Sequence, residues 1–443
     1  MTTTLATLRQ RTLESINDYI SVAVTTAIAA NTSVISTNLN EYDGGANDTF
    51  NGWYVYITTE ANIGVERQIS DYATTGGVIT VRGANLTAEA GAEKAVVWVC
   101  RHSVKQVIDK VLNRAMEEMY PNLHKRIDDL TLITGNRLPN ASFEDWASTT
   151  TPDFYTAPTG SVAATTTVAY VRGSPKSAYL TAGATPDYFY ITSNDYPRLL
   201  DLMGTTVNFY AWAYPVDTAD DATIQIYTLQ ADATAQTLTS TTSNPVTAWT
   251  LLELEDQTLN DDLVEIQFRF RCKTTTKHIY FDDAIVLGNH LFEYLIPDNL
   301  QNGIVSQAYM QLGGYSDIPA YDIHPRTWSR EDFTVIDNGT YKYLRMNDIP
   351  TNGRRLRLLG TAPLDDLSQT AAGAATDTIN IDAGGRTDML VAYACYLLWE
   401  MEESPVSSED IARYERESAK RYAKYSRLLR MHKMIAPAGT LRV

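Results

Sequence analysis

The sequence contains few residues suited to covalent or metal chemistry. It has only three cysteines, Cys100, Cys272 and Cys395, among 443 residues, and they lie far apart without CxxC spacing. None of the six histidines has a cysteine or a second histidine at metal-ligand spacing. GxSxG, P-loop, HExxH and dinucleotide-binding motifs are absent as well. We therefore predict buried free thiols, no required cofactor and no enzymatic activity.

Long apolar runs and an excess of basic residues are also missing. No stretch approaches the roughly 18 apolar residues that span a bilayer, so no membrane contact is expected. Met1–Glu14 lacks the apolar segment of a secretory signal, which predicts a chain made and kept in a cytoplasm. The net charge of −17 argues against general nucleic-acid binding and favours charge-selective contacts with partner proteins.

The spacing of apolar residues divides the chain into helical and β segments. Hydrophobic residues make up 44% of the sequence, enough for roughly two to four domains. Steps of three to four residues predict helices over 2–21, 102–119, 386–403 and 407–433. Period-two alternation, separated by turn residues, predicts strands over 33–100 and 136–288.

The two β regions differ in length and in their boundaries. Residues 33–100 carry short strands between glycine turns, which predicts a small antiparallel barrel. Residues 136–288 have the length and alternation of a two-sheet sandwich, with Val168–Val171 as one of its strands. Turn residues at both ends predict an inserted domain whose termini are adjacent.

Basic residues concentrate near the C-terminal end. Residues 409–443 contain nine Lys or Arg and four Asp or Glu, a net charge of +5 in an acidic chain. The structural alternative is a solvated helix face, because the helix dipole favours cations near the C-terminal end and so explains part of this positive charge. The functional interpretation is docking to an acidic ring or to DNA. The residues expected to dock are Arg413, Lys420, Arg421, Lys424, Arg427, Arg430 and Lys433.

Two segments resemble modules of known families. Gly52–Thr58, Gly64–Tyr72 and Gly77–Val81 resemble a small β-barrel that recurs in phage virion proteins. Asn140–Trp146, with the letters NASFEDW, and Ile279–Leu287, with the letters IYFDDAIVL, resemble the opening and closing strands of a carbohydrate-binding-module jelly roll.

The jelly-roll resemblance implies a site and a ligand. In that family a structural Ca²⁺ often lies between the two strands. The matching residues here are Glu144 and Asp282, which would bind the ion together with backbone carbonyls. Solvated or turn-capping carboxylates are the structural alternative. Six aromatic residues are expected either to stack on sugar rings or to fill the core: Trp146, Tyr190, Tyr210, Trp212, Tyr214 and Trp249.

Residues 290–443 resemble, in their architecture, the head-to-tail adaptor proteins of tailed phages. The resemblance is carried by Tyr294–Leu300, the segment around Trp328, Gly353–Gly360 and the two last helices. It implies an α+β multidomain fold class, a helical adaptor core with an inserted small β-barrel and an inserted antiparallel jelly-roll sandwich. The expected divisions are 1–32 with an N-terminal core helix, 33–100 as the small barrel, 101–135 with a core helix, 136–288 as the jelly roll, 289–385 as the β-rich part of the core, and 386–443 with the C-terminal helices and tail.

Two functions follow from these resemblances. The first is a virion neck adaptor, assembled in the host cytoplasm as a ring of about twelve copies, that joins the portal to tail or stopper proteins and contacts exiting DNA. The alternative is a host-recognition or decoration protein that binds surface glycans through the jelly roll. An enzyme is the weakest hypothesis, because the adjacent Asp282 and Asp283 point to opposite faces of a strand and cannot form a glycosidase pair.

Overall fold

A computed structural model describes most of the chain. The described residues are 2–89, 94–157, 161–173, 175–183, 187–219, 221–243, 245–312, 328–367, 377–381, 384–401 and 408–435, with backbone alone for 408–414. They form two compact units, one within Met1–Lys125 and Ala362–Ala436 and the other within Arg126–Thr361. Within the described ranges no helix is both long and apolar enough to cross a membrane.

More of the described residues lie in strands than in helices. The helices are α1 Leu5–Ser15, α2 Asp109–Glu118, α3 Asp298–Gln301, α4 Gly385–Met401 and α5 Ser408–His432. The strands are β1 Thr3–Thr4, β2 Ile20–Ala23, β3 Ser33–Ile35, β4 Tyr54–Ile57, β5 Glu66–Ala73, β6 Val78–Val81, β7 Val96–Cys100, β8 Lys125–Asp129, β9 Trp146–Ser148, β10 Thr151–Pro152, β11 Ser161–Thr165, β12 Ser177–Thr181, β13 Asp187–Thr192, β14 Thr206–Pro215, β15 Ala222–Gln230, β16 Ala235–Thr239, β17 Thr250–Thr258, β18 Leu263–Cys272, β19 His278–Leu287, β20 Glu293–Leu295, β21 Ile304–Gln311, β22 Trp328–Glu331, β23 Phe333–Asp337, β24 Lys342–Met346, β25 Leu356–Ala362 and β26 Thr378–Ile379.

The predicted fold class, an α+β chain built on a helical adaptor core, is wrong. The protein is mostly β-sheet, arranged in several sheets and a half-barrel. The described residues of 289–361, which were predicted to be the β-rich part of the adaptor core, hold β20–β25 and only the four-residue helix α3. The physical reason is that buried side chains recur there at every second position, as in a strand. Leu356 and Leu358 are buried while Arg357 and Leu359 are partly exposed.

Helices and one sheet share the first unit. Strands β2, β7, β4, β5, β6 and β3 pair in that order as an antiparallel sheet, over the region where a small barrel was predicted. Apolar side chains of α1, α2, α4 and α5 pack into one core, with Tyr56 and Trp98 from the sheet. The helix predicted over 2–21 ends at Ser15, because Asn17 adopts φ 58, and β2 follows.

A β-sandwich occupies much of the second unit. One sheet has the order β11-β12-β19-β14-β17 and the other the order β13-β18-β15-β16, with every pair antiparallel. Their inner faces meet in an apolar core that includes Phe189, Phe270 and Phe281. This confirms the sandwich predicted over 136–288. The strand predicted at Val168–Val171 is wrong: Val168–Tyr170 is a 3-10 turn and Val168 is 87% exposed.

The two ends of the sandwich lie side by side, as predicted. The Arg137 N–H donates to the Val286 carbonyl at 2.9 Å. The Asn136 side chain donates to the Ala284 carbonyl and accepts from the Val286 N–H, both at 2.9 Å. The rest of the unit consists of the small sheets β20-β24-β23 and β22-β21-β25-β8 around a separate apolar core.

The three cysteines are free and buried, as predicted. Burial raises the pKa of each thiol. Thiols that stay protonated are poor nucleophiles and poor metal ligands, so these side chains act as small apolar groups.

Candidate functional site

The outer face of the five-stranded sheet carries a cluster of aromatic side chains. Strand β14 alternates strictly, with Phe209, Ala211 and Ala213 buried and Tyr210, Trp212 and Tyr214 partly exposed. Strands β12 and β19 flank it in the same sheet with their own outward residues. We call the following set the aromatic face: Tyr170, Tyr179, Trp212, Tyr214, Trp249, His278 and Tyr280.

Four rings of the aromatic face form a stacked column. The register places Tyr179 opposite Tyr280 across the β12–β19 pair. The Tyr280 ring lies between Tyr179, at 4.6 Å between centroids, and Tyr170, at 4.3 Å with an interplanar angle of 5°. His278 continues the column on the other side of Tyr179 at 5.4 Å. The two inner rings, Tyr179 and Tyr280, are therefore each held between two neighbours.

Tyr214 and Trp249 extend the aromatic face beyond the column. Their rings meet at 67° with centroids 5.6 Å apart, and Tyr214 makes a similar edge contact with Tyr170 at 5.4 Å. Both side chains are partly exposed. Edge-to-face packing leaves ring surface available to a further apolar group.

Arg172 covers the ring of Trp212. Its guanidinium carbon lies 3.5 Å from the ring centroid, and its Nη1 donates to Asp283 Oδ2 at 2.9 Å. The ion pair holds the cation in place, so one face of the Trp212 ring is covered.

The aromatic face also presents polar groups. Among the described residues, the hydroxyls of Tyr170, Tyr179, Tyr214 and Tyr280 have no hydrogen-bond partner. By contrast, the Tyr210 hydroxyl on the same sheet donates to Glu255 at 2.6 Å. Burial and the neighbouring tyrosines raise the pKa of Tyr280 to about 12, so its hydroxyl remains a neutral donor and acceptor near pH 7.

The structure places only half of the predicted sugar-stacking aromatics on the aromatic face. Trp212, Tyr214 and Trp249 belong to it, and Tyr210 is held by Glu255. Tyr190 lies on the other sheet, and Trp146 packs against the core with its Nε1 donating to the Phe143 carbonyl. Sequence reasoning missed Tyr170, Tyr179, His278 and Tyr280. The alternation of β19 was a usable signal for the last two.

The outer face of the four-stranded sheet has aromatics in a different arrangement. Arg269 lies over the rings of Tyr227 and Tyr188, at 4.0 and 4.8 Å from their centroids. A cation therefore occupies one face of each ring. This makes Tyr188 a suitable comparison residue for the aromatic face.

Glu144 and Asp282, the predicted calcium ligands, are engaged by backbone N–H groups. Lys176 N–H donates to Glu144 Oε1 at 2.9 Å. Arg172 and Asp283 N–H groups donate to the two Asp282 carboxylate oxygens at 2.8 Å each. Burial, and then the charge of Asp283, raises the pKa of Asp282 to about 8. The calcium site at this pair stays a prediction.

A small acidic cavity lies elsewhere in the second unit. Asp145 borders a cavity of about 50 Å³ and accepts the Asp298 N–H at 3.3 Å. Burial, with contributions from the charges of Asp298, Asp129 and Asp153, raises the pKa of Asp145 to about 7. In the ranges that the structure describes, no three His, Cys, Asp or Glu side chains are grouped to hold a metal ion.

The predicted docking residues on α5 differ in their surroundings. Lys420, Lys424, Arg427, Arg430 and Lys433 are exposed. Arg421 donates from Nη1 to the Ser15 carbonyl, so this guanidinium helps to hold α5 within the first unit. The side chain of Arg413 lies outside the described residues. Docking through these cations stays a prediction.

Comparisons with known proteins give similarities of fold over part of the chain. No family model and no curated protein matches. The C-terminal family 22 carbohydrate binding module of Clostridium thermocellum Xyn10B is 17% identical over 34% of this chain and 92% of its own, with a TM-score of 0.29. The CBM22-1 xylan-binding domain of Paenibacillus barcinonensis Xyn10C is 12% identical over 37% and 97%, with a TM-score of 0.28.

A phage protein is also similar in structure. The enzymatically active domain of bacteriophage CBA120 tailspike protein 4 is 15% identical over 35% of this chain, with a TM-score of 0.27. The match spans only 22% of the tailspike chain. At TM-scores below 0.5 none of these similarities bears on the assignments that follow, which rest on the geometry of the chain itself.

Proposed function

We propose that this protein is a non-catalytic glycan-recognition protein that contacts sugar through the aromatic face of its β-sandwich. The observation that carries the proposal is the column His278–Tyr179–Tyr280–Tyr170 with Tyr214 and Trp249 beside it. The expected place of action is a phage particle, where a decoration or host-recognition protein would meet bacterial surface glycans.

Sugar chemistry fits the aromatic face in two ways. The C–H groups of a pyranose ring form an apolar surface that packs on an aromatic ring, for which Trp249 is the most suitable residue. Sugar hydroxyls need donors and acceptors, which the unpartnered hydroxyls of Tyr170, Tyr179, Tyr214 and Tyr280 supply. Because the column holds several of these rings in place, little side-chain entropy is lost on binding.

The proposal takes up the alternative that the sequence suggested and leaves the neck adaptor aside. The sheet-rich fold contradicts the fold class on which the adaptor hypothesis depended. The proposal therefore does not include the neck, the ring of about twelve copies or the contact with exiting DNA.

The test uses the full chain on an array of bacterial surface polysaccharides and plant β-glycans, followed by calorimetry with the strongest ligand. Trp249→Ala is expected to weaken binding by on the order of tenfold or more, because it removes stacking surface. Tyr188→Ala, on the opposite sheet, is the matched control and is expected to bind as the wild type does.

Three outcomes would count against the proposal. One is the absence of binding to any glycan on the array. Another is equal loss in both variants, and a third is loss in Tyr188→Ala alone, which would move the site to the other sheet. The non-catalytic part is tested by incubating the bound glycan with the protein, and the release of new reducing ends would contradict it.

A further inference from the structure

Three arginines line one open pocket beside the end of β19. Arg137 comes from the segment that leads into the sandwich, Arg198 from the 3-10 turn Pro197–Leu202 and Arg345 from β24. The pocket has a volume of about 740 Å³, within the roughly 300–1,000 Å³ that is typical of small-molecule sites. This concentration of positive charge contrasts with the net charge of −17 of the whole chain.

Glu293 holds two of these arginines close together. It lies directly opposite Arg345 across the β20–β24 pair. Arg345 donates to Glu293 Oε1 from Nε, at 2.8 Å, and from Nη2, and Arg198 Nη2 donates to Glu293 Oε2 at 2.7 Å. The Arg198 guanidinium also lies 4.1 Å from the centroid of the Tyr343 ring. One carboxylate therefore fixes two neighbouring guanidinium groups, and within the described ranges the Nη1 group of each has no acceptor.

Arg137 is a buried cation whose charge is poorly compensated. Its side chain is 6% exposed, and its ion-pair partner Asp201, which is 64% exposed, accepts from Nη1 at 3.3 Å. Nη2 donates to the carbonyls of Asn289 and His290 at 3.2 Å each, and Nε is buried without an acceptor in the described part of the chain. Burial lowers the pKa of Arg137, as expected for a cation that lacks a close counter-charge.

The charges around the pocket do not balance. Three arginines and two acids, Asp201 and Glu293, leave one positive charge in excess when His290 is neutral. A guanidinium matches the planar geometry of a carboxylate, which can accept two parallel N–H bonds. Phe292 lines the same pocket and is 43% exposed, so its ring offers an apolar surface to the body of a ligand. The pocket therefore suits a single negative charge attached to a partly apolar ring.

We propose that this pocket binds the carboxylate of a sugar acid, with Arg198 and Arg345 as the donors. The free Nη1 groups of the two arginines would donate to the carboxylate oxygens, and Phe292 would pack on the sugar ring. A phosphate dianion fits less well, because its second charge exceeds the positive charge in excess. The pocket lies beyond Leu287 at the end of β19, whereas His278 of the aromatic face begins that strand. The site is therefore separate from the aromatic face and does not depend on the proposed glycan binding there.

The test titrates the full chain with D-galacturonate, D-galactose and inorganic phosphate, followed by ligand-observed NMR. Galacturonate is expected to bind saturably and on the order of tenfold more tightly than galactose, which lacks the carboxylate. Its affinity should fall as the salt concentration rises. Arg345→Gln is expected to weaken galacturonate binding by on the order of tenfold, because it removes a charged donor. Asp201→Asn should strengthen binding, since it removes a competing negative charge from the pocket.

Two control variants make the result specific. Arg357→Gln changes another arginine of the same unit, which pairs with Asp128, and should bind galacturonate as the wild type does. Trp249→Ala, on the aromatic face, should do so too. Equal binding of galacturonate and galactose would overturn the proposal, and so would tighter binding of phosphate. Equal affinities of Arg345→Gln and Arg357→Gln, or loss in Trp249→Ala alone, would also contradict it. If Arg345→Gln did not fold, Arg198→Gln would be judged by the same criteria.

Discussion

Arg9 and Asp109 form a two-point ion pair between α1 and the start of α2. Arg9 Nε donates to Asp109 Oδ1 at 2.7 Å and Nη2 to Oδ2 at 2.5 Å. Both side chains are 1% exposed, and Arg9 Nη1 donates to the Tyr56 hydroxyl at 2.7 Å. The pair therefore links two helices and strand β4 in the interior of the first unit.

We expect Asp109→Ala to destabilise the first unit by about 3–5 kcal/mol, because it leaves the Arg9 guanidinium buried without a counter-charge. Calorimetric unfolding would measure the change. Arg11→Ala, which removes an exposed pair with Asp388, is the control and should cost at most about 1 kcal/mol. The double variant Arg9→Met with Asp109→Leu should recover most of the loss, and failure to recover would show that the ion pair contributes net stability.

Glu66 caps the N-terminal end of the helical turns Val104–Ile108, which lead into α2. Its carboxylate accepts from the Val104 N–H at 2.5 Å, the Ser103 hydroxyl at 2.9 Å and the Lys105 N–H at 3.3 Å. Glu66→Ala should lower the stability of the first unit by about 1–2 kcal/mol, through loss of the cap and of a negative charge at a helix N-terminus. Urea unfolding followed by circular dichroism would detect this. Glu41→Ala, an exposed glutamate, should have little effect.

The raised pKa of Asp145 predicts a pH dependence of stability. The charged form is disfavoured in the folded state, so stability should fall as pH rises from about 4 towards 7 and remain level above that. Asp145→Asn removes this loss and should be more stable than the wild type near pH 8 by on the order of 2 kcal/mol, with little difference near pH 4.

Asp232 provides the opposite case for the pH experiment. The Thr234 N–H lowers the pKa of Asp232, so Asp232→Asn should become less stable relative to the wild type as pH rises through the acid range. Melting temperatures of both variants and the wild type across pH would be compared. An Asp145→Asn advantage that is the same at every pH would contradict the assignment.

Tyr280 has distinct roles for its ring and its hydroxyl. Because the hydroxyl has no partner among the described residues, Tyr280→Phe should change the free energy of unfolding by less than about 0.5 kcal/mol. Tyr280→Ala removes the centre of the column and should cost about 2 kcal/mol. In calorimetry with a glycan ligand, Tyr280→Phe should still lose affinity. Unaltered binding would mean that the hydroxyl does not contact sugar.

Local periodicity predicted individual elements well and the fold class poorly. The outward positions along α2 and the alternation of β14 follow from spacing alone, so the helix and the sandwich were predictable. The fold class depended on a resemblance of architecture, and the predominance of sheet over helix in the described residues contradicts it. The end of α1 depended on the left-handed backbone of Asn17, which no apolar pattern encodes.

The candidate sites depend on contacts between distant parts of the sequence. Tyr179 and Tyr280 meet only because β12 pairs with β19 in one register, and a shift of one residue would turn either ring to the core. Sequence patterns supply residue types, and pairing register determines which of them meet.

The adjacent ends of the sandwich at Asn136 and Val286 have an evolutionary consequence. A domain whose first and last residues are adjacent can be replaced by recombination without displacing the chain segments that flank it. Homologous proteins could therefore acquire different sandwiches in one genetic exchange while retaining the remaining sheets. If the sandwich binds glycans as proposed, ligand specificity would then change by exchange of a whole domain, in addition to the slow accumulation of point mutations.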